Sequence, residues 1–246
     1  MRPAHGPAMP RPGPEPDAVR FQDAAKDARA VVYAGIQADP LVGRLASLAA
    51  DATYGQRLMA RAVMNGESTD PETWRTMFPL LFGAAAAALG TPERDRSEAL
   101  LAVSLQVADR GEQTRSQFRG AVVEALTERL LAERTGPVRR ERRILFDGRP
   151  AEIHPYDATV ERDGAAEAWD CKWGARGIKA DVIHQLDDAR AGAVSEGGKL
   201  LVGLVVFDAR RSCEVRLVRE RGPVAIEGIK LIALEGLDRL AGRRPA

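Results

Sequence analysis

The stretch from residue 143 to residue 173 constrains the fold of this 246-residue chain more than any other part. It holds two Asp-Gly pairs, Asp147-Gly148 and Asp163-Gly164, each between runs rich in β-forming residues. An Asp-Gly pair favours a tight hairpin, because both central residues of a type I′ turn need positive φ. The sequence therefore predicts an antiparallel meander of three strands.

The third strand of this meander alternates apolar and charged side chains. Trp169, Cys171 and Trp173 share one face, because side chains two residues apart on a strand point the same way. Asp170 and Lys172 share the other face. The prediction is a strand with one packed face and one charged face.

A further carboxylate, Asp157, lies on the preceding strand, directly after Pro155 and Tyr156. The hairpin can bring this side chain across from Asp170 and Lys172, so that two carboxylates and one ammonium group converge. The competing interpretation is a solvated sheet face with an exposed ion pair, which contributes little to stability.

The pattern of Asp157 followed by Asp170-Cys171-Lys172 resembles the PD-(D/E)xK nuclease superfamily. That family has an Asp on the second strand of the meander and (D/E)xK on the third. The resemblance spans residues 113 to 219 and implies a restriction-endonuclease-like fold, with a helix before the meander and a helix and further strands after it. The literal Pro-Asp dipeptide is absent, because Tyr156 precedes Asp157.

The resemblance also implies a reaction and roles for these residues. Asp157 and Asp170, with the backbone carbonyl of Cys171, would bind one or two Mg²⁺ (or Mn²⁺) ions as hard oxygen ligands. Lys172 would hold and help deprotonate the attacking water, or stabilise developing negative charge. The implied activity is metal-dependent hydrolysis of phosphodiester bonds, with DNA as the expected substrate.

The helix predicted from 113 to 134 carries a further acid that the resemblance implies. Glu124 follows Gly120 by four residues, as in the family, and would complete the metal site. The main apolar face lies nearly opposite Glu124, but Leu131 shares its stripe, which predicts a helix buried on two sides. Glu128 is the alternative acid, and a solvated surface glutamate is the competing interpretation for both.

Three more residues are candidate substrate contacts. Gln185 lies on a helix predicted from 179 to 194, where some members of the family carry a substrate-positioning Gln; the aromatic residue that usually follows is Ala189 here. Arg139 and Arg140 belong to the densest basic cluster in the chain and would contact phosphates. A solvated loop is the alternative for that cluster.

The chain divides into three predicted parts. Residues 1–16 are Pro-rich and predicted to be a disordered tail. Residues 17–110 predict a bundle of four helices without strands, with a kink at Phe78-Pro79. Residues 111–246 form the nuclease-like domain. The predicted fold class is α+β/α/β: an N-terminal helical bundle, then a restriction-endonuclease-like domain with a mixed central sheet flanked by helices.

Three elements close the predicted nuclease-like domain. Residues 199–207 form an apolar run typical of a strand buried on both faces. Residues 213–218 alternate and predict another strand, and residues 229–240 predict a short amphipathic helix.

Composition and cysteine use exclude several classes. With 36 Lys and Arg against 35 Asp and Glu, the net charge of +1 gives no global attraction to nucleic acid, so a basic footprint must be local. The two cysteines, Cys171 and Cys213, lie in predicted strands and fit a reduced, cytoplasmic protein better than a disulfide scaffold. No apolar run approaches the length of a membrane span.

A zinc site or a cysteine hydrolase finds little support. His154, His184 and the two cysteines lack metal-ligand spacing, and both imidazoles are predicted to be structural or surface groups. Cys171 is predicted to point to the same packed face as Trp169 and Trp173, which predicts an inert thiol.

The predicted function is therefore a metal-dependent nuclease. A helical bundle joined to such a module also looks like an effector gated by a sensor or partner, as in bacterial defence. The bundle would bind a partner protein or ligand, and the family's frequent dimers add a homodimer to the expectations. The alternative is a nuclease fold without catalysis that serves nucleic-acid binding or protein assembly.

Overall fold

The structure is a computed structural model that describes residues 19–25, 28–84, 86, 90–146, 148–150, 154–162, 165–222 and 228–244. The predicted tail at residues 1–16 lies outside these ranges. In chain order, the first half contains β1 (Arg20–Asp23), α1 (Ala28–Gln37), α2 (Pro40–Ala50), α3 (Tyr54–Asn65), α4 (Pro71–Met77), α5 (Pro79–Phe82), α6 (Thr91–Ala108) and α7 (Glu112–Thr135). The second half contains β2 (Arg142–Phe146), β3 (Arg149–Pro150), β4 (Ala158–Arg162), β5 (Ala165–Lys172), α8 (Ala180–Ser195), β6 (Lys199–Val206), α9 (Arg210–Arg221) and β7 (Ile229–Ile232), with 3-10 helices at Ala175–Gly177 and Leu234–Ala241.

A four-stranded mixed sheet in the order β4-β5-β6-β7 forms the centre of the fold. Strands β4 and β5 are antiparallel, whereas β5, β6 and β7 run parallel to one another. Arg162 pairs with Ala165, so the β4–β5 connection has the two-residue length predicted at Asp163-Gly164, although that pair lies outside the described residues. The protein is thus a mixed α/β structure with a mixed sheet, as predicted.

A second, antiparallel sheet has the order β1-β2-β3 and corrects the predicted meander. Strand β2 pairs with β1 and β3, and among the described residues the backbone pairing between this region and the main sheet consists of two isolated bridges, Arg139 to Thr159 and Arg142 to Tyr156. The β2–β3 hairpin turns at Gly148, whose φ of 72° is the conformation that glycine accommodates.

Four secondary-structure predictions were wrong. Residues 20–23 form strand β1 inside the region predicted to be wholly helical, because their backbone pairs with β2. That region contains six helices in its described part rather than four, with the predicted kink at Phe78-Pro79 appearing as a full break. Residues 213–218 belong to helix α9, and residues 229–232 form strand β7 beside β6, which leaves only a 3-10 helix after them.

Helix α7 is buried on two sides, which confirms that prediction. One side packs in a cluster with α2, α3 and α6 that includes Phe118, Ala121 and Val122. The other side packs with the main sheet through Val123, Leu126 and other residues, and this second cluster also contains three alanines of α2. The predicted domain boundaries stay predictions, but α7 joins the helical part to the sheet. Within the described ranges, no helix has the length and apolar composition of a membrane span.

Candidate active site

Strand β5 presents two different faces, as its alternation predicts. Trp169 and Cys171 are buried against α7, and the Cys171 thiol lies 3.4 Å from the hydroxyl oxygen of Thr127. Burial raises the pKa of Cys171 well above its ordinary value, which agrees with a packed thiol. Asp170 and Lys172 point to the opposite face, where their side chains form an ion pair.

Asp157 lies immediately before β4 and joins this pair. The β4–β5 register sets Ala158 opposite Trp169, so Asp157 stands next to Asp170 across the hairpin. The backbone N–H of Cys171 donates a hydrogen bond of 2.6 Å to Asp157 Oδ2, which fixes the carboxylate. The structure therefore brings together Asp157, Asp170 and Lys172.

The electrostatics of the cluster are those of crowded carboxylates around one cation. Burial raises the pKa of Asp157 well above its ordinary value, and the charges of Asp170 and Glu124 raise it further. Burial lowers the pKa of Lys172, but the charges of Asp170 and Asp157 outweigh burial, so that the net pKa is raised. Lys172 is therefore an ammonium group that can donate hydrogen bonds.

Glu124 of α7 is also buried, with 7% of its surface exposed. The Tyr33 hydroxyl donates to its Oε1 at 2.6 Å, and the Gln37 amide donates to its Oε2 at 2.7 Å. Its partner Gln37 lines a cleft together with Glu141, and Glu141 also lines the cleft that holds Asp157 and Asp170. The alternative acid, Glu128, instead forms an ion pair with Arg140.

Two clefts meet beside these residues. The first has a volume of 530 Å³; its floor includes Asp157, Asp170 and Lys172, and α8 contributes a wall that includes His184 and Gln185. Gln185 does not reach the acids through a hydrogen bond; its amide donates to the backbone oxygen of His154 at 3.0 Å. Both histidines are exposed, as expected of surface imidazoles, but they line this cleft.

The second cleft has a volume of 550 Å³ and lies between α1 and the loop before β2. Arg139 and Arg140 line it, together with Tyr33 and Gln37. The side chain of Arg140 is held by Glu128, so Arg139 is the more available of the two predicted phosphate contacts.

Sequence reasoning missed Glu141, which lines both clefts. Its φ of 53° is unusual for a residue other than glycine, and such conformations cluster at functional sites. Burial raises the pKa of Glu141, and the nearby charge of Glu124 raises it further. Tyr33 and Gln37 were missed as well. They lie 91 and 87 residues from their partner Glu124, and a contact at such a separation leaves no local pattern in the sequence.

The donor chemistry of the cluster fits Mg²⁺ or Mn²⁺, because it offers carboxylate oxygens and no soft ligand on the exposed side. Asp157 and Asp170 are adjacent across the hairpin, and Glu124 is a further buried acid whose partner Gln37 lines the neighbouring cleft. Among the described residues, no three acidic, His or Cys side chains already stand in a coordinating arrangement. Asp170 is paired with Lys172 instead, so binding a cation requires this ion pair to rearrange.

Glu167, two residues before Trp169, has a structural role. Both its oxygens accept hydrogen bonds from Arg134, at 2.8 and 2.7 Å, and the Trp169 indole donates a third at 2.9 Å. Because Glu167 is two residues from Trp169 on β5, its side chain points to the packed face. It therefore does not substitute for Asp170 at the site.

We expect Glu167→Gln to lower the free energy of unfolding by roughly 1–3 kcal/mol at neutral pH, because a charge-assisted pair is lost. Burial raises the pKa of Glu167, but the bonds from Arg134 and Trp169 outweigh it and the net pKa is lowered. The stabilisation is therefore present above the unfolded-state pKa of about 4.3 and is lost as pH falls through the lower folded-state value.

Urea unfolding of both proteins between neutral and acidic pH measures this difference. The exposed Glu98→Gln on α6 is the control and should change stability much less. A difference between native protein and Glu167→Gln that stays constant down to strongly acidic pH would contradict the assignment.

Comparison with known families and curated proteins gives no match for this chain. No family model matches it, and no curated protein matches it. Among solved structures, it is similar to the crystal structure of protein VC1899 from Vibrio cholerae, with a TM-score of 0.47 and 14% sequence identity. The match covers 92% of this chain and 57% of that one, so this chain spans little more than half of the neighbour. A similarity this low carries no argument about fold or function.

Proposed function

We propose that this chain is a metal-dependent nuclease of the PD-(D/E)xK type that hydrolyses phosphodiester bonds, with DNA as its substrate. The nuclease-like part would have the restriction-endonuclease-like fold. One observation carries the proposal: Asp157 and Asp170 crowd together beside Lys172 on the floor of a cleft, at the end of a hairpin. Crowded buried carboxylates are costly, and a divalent cation relieves that cost.

The residues of the cluster divide the chemistry between them. Asp157 and Asp170 would hold the cation, with Glu124 and the carbonyl of Cys171 as further oxygen ligands. When bound, Mg²⁺ or Mn²⁺ supplies Lewis-acid chemistry that neutralises phosphate charge and acidifies water. Lys172, an ammonium group with a raised pKa, would donate to the attacking water or to a phosphate oxygen rather than remove a proton.

The surroundings of the cluster would bind the substrate. Arg139 and Arg140 line the second cleft and would contact backbone phosphates, with Arg139 the more available. Gln185 lines the first cleft, where it would contact the nucleotide beside the scissile bond. The helical part would bind a partner or ligand that gates cutting, as in an effector of bacterial defence. A homodimer would cut both strands. These two proposals rest on analogy with other proteins that join a helical part to a nuclease module.

The proposal is tested by incubating plasmid and single-stranded DNA with the chain and Mg²⁺ or Mn²⁺. We expect metal-dependent cleavage by the native chain and none by Asp157→Ala. The exposed Asp95→Asn on α6 removes a carboxylate away from the cluster and should cut like the native chain. Cleavage that persists in Asp157→Ala, or that needs no metal, would refute the assigned site.

A nuclease fold without catalysis is the second candidate function. The observation that favours it is the Asp170–Lys172 ion pair, which occupies the place where a cation would bind. Thermal unfolding with and without Mn²⁺ separates the two candidates, because a ligand that binds only the folded state raises its stability. An unchanged melting temperature, together with DNA binding but no cleavage, would favour the binding module.

A further inference from the structure

Helix α1 supplies both hydrogen-bond partners of the third acid of the site. Tyr33 and Gln37 lie one turn apart on α1 and donate to different oxygens of Glu124, at 2.6 and 2.7 Å. The two donors come from the part of the chain predicted to be a separate helical domain. A carboxylate held at both oxygens loses its rotational freedom, because each bond fixes one end of the group.

The contact depends on a glycine. A Cβ atom at Gly120 would lie 2.9 Å from the Tyr33 hydroxyl oxygen and 4.0 Å from Glu124 Oε1. Any larger residue would therefore crowd the hydroxyl and force it to shift. The spacing of Gly120 and Glu124, one helical turn apart on α7, thus has a physical reason in this protein: it leaves room for the tyrosine.

Glu124 can accept a further ligand in addition to its two hydrogen bonds from α1. An ionised carboxylate offers about four lone-pair positions, and the two bonds from α1 occupy only some of them. Tyr33 and Gln37 fix Glu124 beside the second cleft, which shares Glu141 with the cleft that holds Asp157.

We propose that Tyr33 and Gln37 are positioning residues of the active site, which orient Glu124 for cation binding and make α1 part of the catalytic unit. This inference rests on the proposed nuclease function. Hydrogen-bond partners of metal ligands orient them, and their removal typically weakens metal affinity or activity roughly 10- to 100-fold. The helical part then contributes directly to the chemistry of the site.

The test measures Mn²⁺ affinity by isothermal titration calorimetry on the full chain, with DNA cleavage as a second readout. The variants are Tyr33→Phe, Gln37→Leu and both together. We expect the double variant to bind Mn²⁺ roughly 10- to 100-fold more weakly. Cleavage at low Mn²⁺ should fall in parallel and recover as Mn²⁺ is raised, which a loss of structure alone would not produce.

Gly120→Ala tests the same contact without removing a hydrogen-bonding group. An alanine in a helix interior usually stabilises the helix relative to glycine, but here its Cβ would crowd the Tyr33 hydroxyl, so Mn²⁺ affinity should fall. Tyr54→Phe on α3 and the exposed Gln106→Leu on α6 are matched controls for the two side-chain changes. Both should bind Mn²⁺ like the native chain.

The outcomes separate this inference from the proposed function. A native chain that binds Mn²⁺ and cuts DNA, with a double variant of unchanged or higher affinity, would overturn the positioning role alone. A native chain that neither binds Mn²⁺ nor cuts would overturn the proposed function and this inference with it. Weaker binding in the double variant and in Gly120→Ala, with unchanged controls, would support both.

Discussion

Lys172→Ala should lose DNA cleavage by roughly 10²- to 10⁴-fold and still be stabilised by Mn²⁺. The cleavage is lost because the variant lacks the ammonium group that would donate to water or phosphate. Cation binding is retained because the carboxylates of Asp157 and Asp170 remain, and Asp170 is released from its ion pair. The role proposed for Lys172 therefore predicts that the variant loses cleavage but keeps its stabilisation by Mn²⁺.

The metal-free protein should show a second effect of the same change. Without Lys172, the charges of Asp157 and Asp170 lose the cation that partly compensates them, so the melting temperature without metal should fall. The rise in melting temperature on adding Mn²⁺ should then be larger than in the native chain. Asp157→Ala should behave differently, because it removes a ligand and is expected to lose both cleavage and the Mn²⁺ effect.

Cleavage assays and thermal unfolding on the same preparations measure both effects. Lys199→Ala, at the exposed start of β6, is the matched control and should match the native chain in both readouts. Full cleavage by Lys172→Ala would remove this residue from the mechanism. Loss of the Mn²⁺ effect in that variant would show that Lys172 acts through metal binding instead.

The convergence of Asp157, Asp170 and Lys172 could be predicted from the sequence, because hairpin turns and strand parity are local signals. The parity of β5 follows from alternation over consecutive residues. Burial of α7 on two sides was visible in its two apolar stripes. Each of these features can be predicted from residues that are close together in the sequence.

Other features could not be predicted, because the decisive contacts are distant in sequence. Nothing near Tyr33 indicates that its hydroxyl reaches Glu124, and nothing in β1 indicates β2 as its partner. The error at α9 has a different cause. Cys213, Val215 and Leu217 alternate with charged residues like a strand, but Val215 is 64% exposed, and only Cys213 and Leu217, one helical turn apart, are buried.

Arg57→Leu should have the largest effect on stability, lowering the free energy of unfolding by roughly 3–5 kcal/mol. Arg57 of α3 has 1% of its side chain exposed and bonds Asp238, in the C-terminal 3-10 helix, through two nitrogens at 3.2 and 2.8 Å. It also donates to the backbone oxygens of Ala49 and Ala50 at the end of α2. Its removal leaves a largely buried carboxylate without its ion-pair partner and takes one of the donors from each of the two carbonyls.

Because this cluster ties α2 and α3 to the end of the chain, its loss should also reduce the cooperativity between the helical part and the sheet. Urea unfolding, followed by circular dichroism, measures both the stability and the slope of the transition.

Arg75→Leu is the matched control: its partners, Glu72 and Glu98, are largely exposed, so it should cost less than about 1 kcal/mol. The double variant Arg57→Leu/Asp238→Leu should recover part of the loss, since a buried charge without a partner costs more than an apolar replacement of the pair. An Arg57→Leu protein as stable as Arg75→Leu would mean that the helical part and the C-terminal segment are held together by their apolar contacts alone.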